Sequence, residues 1–402
     1  MIIQPAHRTE TVKEYFFSLK NKEIAKLNAL RREEGRDPVI NLGIGAPDGM
    51  PPSAAIDALC ESARKSDSHK YQSYVGIPAL REAFSSWYRR FYGVDLDPAT
   101  EIQPLMGSKE GILITFLTFI NEGDKVLIPD PGYPTYTSAA RLVGAEVIKY
   151  DLTEANGWRP DFEALEKMDL TGVKMMWTNY PAMPTGAQAT PELYQQLVDF
   201  ALRHRILLVN DNPYSFILND NPISLLAARG ARECAIELNS LSKAHNMSGW
   251  RVGMIAGAAE YITEFLKVKS QMDSGTFKPI QVASIAALEQ GPEWFSQLNA
   301  EYRKRKELVW KLFDIIGAKY DRDTAGLFVW GKVEPDNRFL EGTDPSKTLG
   351  ERLSDKFLYE AGVFITPGFI FGRNGENYIR ASVCATQEVI LDATRKIQEL
   401  NR

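Results

Sequence analysis

Between Lys125 and Ile255 the chain alternates short, largely apolar runs with stretches whose apolar residues recur at helical spacing, and this alternation constrains the fold more than any other feature. Lys125 to Ile128, Glu146 to Leu152, Val173 to Thr178, Ile206 to Asn210, Glu233 to Leu238 and Arg251 to Ile255 read as strands. Tyr136 to Leu142, Asp161 to Met168 and Pro191 to His204 read as helices. Strands without polar alternation must be covered on both faces, and a helix between two of them makes the crossover that a parallel pairing needs. The expected fold class is α/β, three layers around a mostly parallel central sheet.

The flanking regions read as smaller structural units. Thr9 to Arg32 has Val12, Phe16, Leu19, Ile24 and Leu27 near helical spacing and is broken at Gly35 to Pro38, before an extended Val39 to Ile44. Pro78 to Tyr92 is a helix with Leu80, Phe84, Trp87 and Phe91 on one stripe, and Ile112 to Ile120 is an apolar helix. A long amphipathic stretch, Tyr261 to Gly291, is interrupted near Ser274-Gly275, and Pro292 to Ile316 follows it. Strands near Leu327 to Val333, Val363 to Thr366 and Tyr378 to Val383, with helices Lys347 to Glu360 and Gln387 to Leu400, make a second α/β unit. The expected division is 1–45 as an arm and small-domain segment, 46–290 as a large domain and 291–402 as a small one.

Composition narrows the function. A chain of 402 residues with 44% hydrophobic and 25% charged residues can bury a sizeable core. A net charge of −5, with no long Lys/Arg cluster, argues against a nucleic-acid partner. The longest apolar run, Gly111 to Ile120, is too short for a bilayer, and Met1 to Glu10 has no signal-peptide core, so a soluble, cytoplasmic protein is expected. Cys60, Cys234 and Cys384 are widely spaced and odd in number, which suggests neither a disulfide framework nor a metal knuckle.

In parallel sheets, ligand loops gather at strand ends and switch points. The chemically suggestive residues fall there: Asp130 to Tyr136, Asn179 to Gly186, Asp211 to Tyr214 and Ser240 to Arg251. Lys243 lies among small hydroxyl residues, with Arg251 eight positions on. A lysine attacks a carbonyl only when unprotonated, and burial beside a cation favours that form. Arg251 is either that cation or the planar fork of donors that holds a phosphate. Asp211 either turns the chain or sets an anion against a pyridine nitrogen, with the Tyr214 phenol beside it. Met106-Gly107-Ser108-Lys109-Glu110-Gly111 precedes a helix and reads as an anion seat or a plain cap. Gly43 to Gly49 is a loop where backbone can approach a ligand.

Taken together, Asn179 to Gly186, Asp211-Asn212-Pro213-Tyr214, Ser240-Leu241-Ser242-Lys243 with Arg251, and Asn377 to Arg380 resemble the fold-type-I pyridoxal-phosphate enzymes. The chain is similar to the class I/II aminotransferases of the aspartate aminotransferase superfamily over nearly its whole length. Lys174 to Gly186 and Met272 to Lys278 look most like the LL-diaminopimelate aminotransferase branch. The resemblance implies the PLP-transferase fold, pyridoxal 5'-phosphate as cofactor and a homodimer with shared active sites. Lys243 matches the lysine that binds the cofactor covalently and moves the substrate proton, Asp211 the partner of the ring nitrogen, and Tyr214 the donor to the ring oxygen. Tyr133 matches the aromatic on the ring face, and Asn179 and Met183 fall in the ring-oxygen loop. Gly107, Ser108, Lys109, Ser240 and Arg251 match the phosphate cup, and Tyr71 the tyrosine given by the other subunit. Arg380 matches the substrate carboxylate grip, with Ile44 and Gly45 enclosing the substrate.

The resemblance further implies ping-pong transamination between an amino acid and a 2-oxo acid. LL-diaminopimelate transamination, a carbon–sulfur β-lyase and a ligand-sensing domain are the alternatives, and no basic helix-turn-helix precedes Asn41 to favour the last. Two departures stand out. Lys269 to Lys278 lacks the arginine that dicarboxylate-specific relatives carry. Met183 stands where most relatives have Asn, and a thioether cannot donate to the ring oxygen. Either that oxygen loses a donor, or Asn179 or a water replaces it.

Lys243→Ala removes the amine and the proton carrier together, so turnover should fall by several orders of magnitude while circular dichroism stays that of the folded chain. A purified variant keeping more than about a tenth of wild-type turnover would sink the assignment of Lys243.

Overall fold

The computed structural model describes residues 2–400. Strand β1 (Ile40–Asn41) follows the N-terminal helix Phe16–Glu33. The central sheet has seven strands: β2 (Ile102–Leu105), β3 (Lys125–Asp130), β4 (Glu146–Asp151), β5 (Val173–Thr178), β6 (Leu207–Asp211), β7 (Ala235–Ser240) and β8 (Gly253–Gly257). Their spatial order is β2-β8-β7-β6-β5-β3-β4.

Six of the seven strands run the same way, and β8 alone is reversed, antiparallel to both β2 and β7. The cause is length. The β7–β8 connection is too short for a covering crossover helix, so the chain returns beside the strand it has just left, with Ser240 opposite Gly253. Both ends of that connection therefore open onto the sheet edge where β3, β5 and β6 also end, in Asp130, Thr178 and Asp211.

Helices cover both sheet faces, as the apolar strands require. Leu127, Met176 and Leu208 pack with Leu80, Phe84, Trp87 and Leu197 on one side. Val126, Ile128, Trp177, Val209 and Ile255 pack with Ile112 and Phe116 on the other. The outermost strand β4 departs from expectation: it is mostly solvent-touched, because it is an edge. Strand β2 and the helix Ser53–Ala63 were not anticipated. Gln103 in β2 is buried because its amide is paired to the carbonyls of Tyr74 and Pro104.

A third core unites Val309, Leu312 and Phe313 of the helix Pro292–Ile316 with residues of β10 (Phe328–Lys332) and β13 (Tyr378–Ser382), which pair antiparallel. β9 (Lys319–Tyr320) flanks β10. The expected strand Val363 to Thr366 divides between two sheets. β11 (Val363–Phe364) pairs with β1, and β12 (Thr366–Pro367) pairs with β13. The expected helix Lys347 to Glu360 is shorter, Leu349–Lys356, and continues as one wider turn ended by Gly362 in the left-handed region. The stretch Tyr261 to Gly291 forms two helices, Ala259–Lys269 and Lys278–Leu288.

The second unit is tied to the sheet at Asp130. Its buried carboxylate accepts from the amides of Arg373 (3.1 Å) and Asn374 (3.0 Å), and the Asn374 side chain bridges to Asp151 at 2.8 Å. Among the described residues no helix is long and apolar enough to cross a membrane.

Candidate active site

A cavity of about 530 Å³ opens where the strand ends of the sheet meet β10, β13 and the N-terminal helix. Lys243 enters it from a one-turn helix, Leu241–Ala244, that begins at Ser240. The Ser240 hydroxyl accepts from the Ser242 amide at 3.1 Å, which fixes the turn. Lys243 Nζ donates to the Gly45 carbonyl at 2.6 Å. Burial lowers its pKa, and Arg251 and Arg380 push the same way.

Asp211 ends β6 and is 4% exposed. Its Oδ2 accepts from the Tyr136 hydroxyl at 2.8 Å, and its Oδ1 is buried with no partner. Tyr136 is set by stacking on Trp177, with centroids 4.8 Å apart. Burial pushes the Asp211 carboxyl up to about 7; Tyr136 opposes the shift and Glu237 adds to it. The carboxylate therefore favours a site that offers it a positive donor. Tyr214, also buried, has its phenol pKa raised by burial.

At the other end, Arg251 takes a left-handed backbone (φ 58°) and donates to the Ser248 carbonyl at 3.0 Å, leaving its guanidinium largely exposed. Two glycines make room. A Cβ on Gly107 would collide with the Arg251 guanidinium, and one on Gly253 would sit 2.8 Å from the Ser108 nitrogen. The helix Ser108–Phe119 starts here, four residues earlier than its apolar pattern suggests, and its first amides carry the positive end of the helix dipole. Arg251, Ser108 and Ser240 thus line the same cavity beside that positive end, where an anion would be favoured. Lys109 Nζ lies 4.4 Å over the Tyr15 ring at the cavity's edge.

Arg380, on β13, is 3% exposed. Its Nη2 donates to the Gly43 carbonyl at 2.8 Å, its Nη1 to the Met183 sulfur at 3.1 Å, and its Nε is buried without a partner. Its Cζ lies 3.8 Å from the Phe328 ring centroid, 4.7 Å from Phe371 and 5.6 Å from Phe17. Burial pushes its pKa down to about 10, and the groups that face it are phenols and the Cys384 thiol, with no carboxylate among them. A buried guanidinium without a counterion is a seat for an anionic ligand.

The structure brings Lys243, Asp211, Tyr214, Tyr133, Asn179, Met183, Ser108, Lys109, Ser240, Arg251, Arg380, Ile44 and Gly45 onto one cavity, with Gly107 directly behind Arg251. Tyr71 is 91% exposed and lies outside that lining. The Asn179 amide is committed at both ends: Nδ2 donates to the Asp211 carbonyl at 2.6 Å, and Oδ1 accepts from the Met183 amide at 2.8 Å. One Asn179 N–H is thus spent on the Asp211 carbonyl, and the second stays available as a donor in place of the one missing at Met183. Tyr15, Phe17, Phe328 and Phe371 were missed by sequence reading, and Tyr136 was reached only as the end of the suggestive stretch Asp130 to Tyr136, without its role beside Asp211. A signal existed in Tyr15-Phe16-Phe17, three aromatics in a row at the start of a surface helix, and in Tyr136, one turn after Tyr133.

Comparison with known proteins agrees with this geometry. The family model described as aminotransferase class I and II matches residues 37–397. The chain is 37% identical over 400 residues to an LL-diaminopimelate aminotransferase of Moorella thermoacetica, covering 99% of this chain and 98% of that one. Its fold is similar to a substrate-bound BacF structure from Bacillus subtilis (TM-score 0.90, 33% identity, covering 100% of this chain and 98% of that one). It is also similar to an aspartate aminotransferase single mutant of Thermus thermophilus (TM-score 0.88, 25% identity, covering 99% and 100%).

The state of Asp211 has a measurable consequence. In the folded, cofactor-free chain this carboxyl keeps its proton up to about pH 7, against about 4 when unfolded. The folded state binds more protons in this window, so stability falls as pH rises through it. From pH 5 to pH 8, cofactor-free wild type should lose on the order of 2–3 kcal/mol more than Asp211→Asn, in which the group is neutral throughout. Urea midpoints at the two pH values measure the difference, and equal losses would show that Asp211 is not held protonated.

Proposed function

The chain belongs to the class I and II aminotransferases, and we propose that this cavity is where it carries the amino group of an L-amino acid to a 2-oxo acid, in two half-reactions that share one site. It is a pyridoxal-phosphate-dependent transaminase, and the residues present fit that cofactor. Asp211 Oδ1 lacks a donor, as an acceptor for a protonated ring nitrogen should, and the Gly107–Arg251 cradle leaves an anion cup at the right chemical end. The observation that carries the reading is the convergence of three groups: an amine with lowered proton affinity, a carboxylate missing a donor and a guanidinium missing a counterion.

Arg251, Ser240, Ser108 and the amides behind it would hold the phosphate, with Lys109 at the rim and Gly107 giving the clearance. Asp211 would face the ring nitrogen, and its charge would be favoured by that cation. Tyr214 would donate to the ring oxygen, and Tyr133 would wall the ring. Because Met183 cannot donate, Tyr214 would act without the amide that Asn-bearing relatives place at that position, leaving the second Asn179 N–H or a water as the alternative donor. When bound, pyridoxal 5'-phosphate supplies a sink for the negative charge that develops at the substrate Cα. Arg380 would grip the α-carboxylate in place of the Met183 sulfur, a weak acceptor that a carboxylate readily displaces. Ile44 and Gly45 would enclose the substrate. Lys243 Nζ, once released from the Gly45 carbonyl, would take the proton from the substrate Cα.

The same reading extends to assembly. Tyr71, Tyr74, Met50, Met272 and Phe277 are exposed, and as an apolar surface they suit a homodimer in which Tyr71 reaches the cavity of the second copy. The division into 1–45, 46–290 and 291–402 accompanies it, the first segment joining the small domain through the β1–β11 pairing. A second reading, transamination of LL-diaminopimelate, is favoured by the name of the Moorella relative.

Without an acceptor, the loaded enzyme should release about one 2-oxo acid per site and stop, and resume when a second 2-oxo acid is added. Continuous release with ammonia would mean a lyase instead. In Arg380→Lys, kcat/KM should fall by roughly 2–4 kcal/mol, because a point charge replaces a fork at a dry site, while cofactor content stays at wild type. Unchanged substrate dependence would remove Arg380 as the grip.

Sedimentation of the loaded enzyme should give twice the chain mass, and a stable, active single chain would remove the shared-site arrangement.

A further inference from the structure

This inference rests on the reading of Arg380 as the carboxylate grip and concerns what the rest of the cavity accepts. With Lys243, Asp211, Arg251 and Arg380 committed, most of the wall that remains is Tyr15, Phe17, Ile44, Phe328 and Phe371, with the neutral Asn21 amide beside them. Three of these rings already surround the Arg380 guanidinium. A substrate held there by its carboxylate must project its side chain among aromatic and aliphatic groups.

The charged alternatives lack partners. Asp211 is the only carboxylate among the described residues that line the cavity, and it is buried beneath Tyr136. Nothing else there has the charge to receive an ammonium at the far end of a diamino acid, whose burial would be costly. Lys109, at the rim of the phosphate cup, is the remaining cation of the lining. It is exposed and already sits over the Tyr15 ring, so a distal carboxylate drawn to it gains a screened point contact in place of a fork. In the proposed dimer Tyr71 brings a phenol to the neighbouring cavity, with Lys70 next to it in the chain.

Phe17 is the part of this wall that is built for the purpose. It lies in the first turn of the helix Phe16–Glu33, which is anchored by Phe16 edge-on to Phe369 (6.0 Å) and by Ile24 against Leu358 and Phe364. Its ring is thereby held at the cavity, where a planar apolar side chain can make offset or edge contacts with it. We propose that the enzyme takes L-amino acids with apolar side chains up to benzyl size, and that Phe17 determines this specificity.

The test compares kcat/KM of the loaded enzyme for L-phenylalanine, L-leucine, L-aspartate and LL-diaminopimelate, with one 2-oxo acid saturating. L-phenylalanine should exceed L-aspartate and LL-diaminopimelate by about a hundredfold or more. Phe17→Ala should lower kcat/KM for L-phenylalanine at least tenfold, mostly through KM, and change that for L-alanine less than threefold. Phe17→Leu, which keeps apolar volume and guards against a folding defect, should recover part of the loss. If LL-diaminopimelate or L-aspartate reacts as well as L-phenylalanine, the proposal falls and the transamination reading stands. If Phe17→Ala harms L-phenylalanine and L-alanine equally, the role of Phe17 is structural and the specificity claim falls. If the loaded enzyme releases a 2-oxo acid from none of the four, both readings fall.

Discussion

Desolvation of charge without compensation is the constraint on which this molecule turns. The fold can satisfy a buried carboxylate when it has to. Glu237, fully buried in β7, accepts from the Tyr88 hydroxyl, the Ser224 hydroxyl, the Asn210 amide and the Leu225 amide. A few ångströms along the same sheet, Asp211 receives one donor and keeps an oxygen empty. Arg380 repeats the pattern with opposite sign. An unpaired buried charge costs several kcal/mol; without a ligand Asp211 avoids that cost by keeping its proton up to about pH 7, and a ligand of matching charge would offset it at both sites. The cavity is thus a negative image of an anion at each end and a protonated ring between.

That image depends on topology. An all-parallel sheet would place a long crossover after β7 and take Arg251 away from the strand ends. The reversed β8 keeps the connection short, so the Lys243 amine and the Arg251 guanidinium are held by one loop whose two ends are hydrogen-bonded strands. Gly253 and Gly107 then allow backbone to approach where any side chain would intrude.

Much of this was legible in the sequence because it is local. The apolar runs gave the sheet, the loops at their ends gave the polar site residues, and the helices Pro78–Tyr92, Pro191–His204 and Pro292–Ile316 agree with their patterns to the residue. What stayed hidden is non-local. Gln103 and Pro104 mask a buried strand because the amide finds its partners across the fold. Ile365 reads as mid-strand, yet the chain changes sheets there. Phe17, Phe328 and Phe371 look like ordinary core residues, since nothing in their own neighbourhoods indicates that they converge on Arg380.

The N-terminal helix is fastened to residues 358 and 364, and Arg380 lies on the sheet of that same unit, whereas Lys243 and Asp211 belong to the central sheet. The groups proposed for recognition and for reactivity are therefore carried by different sheets. A displacement between the two sheets would alter how far the amine stands from the substrate's α-carbon and would leave the shape of the recognition wall intact. The two properties can consequently diverge independently in evolution: substitutions at the seam around Asp130 would tune rate, and substitutions on the N-terminal helix would tune choice of substrate.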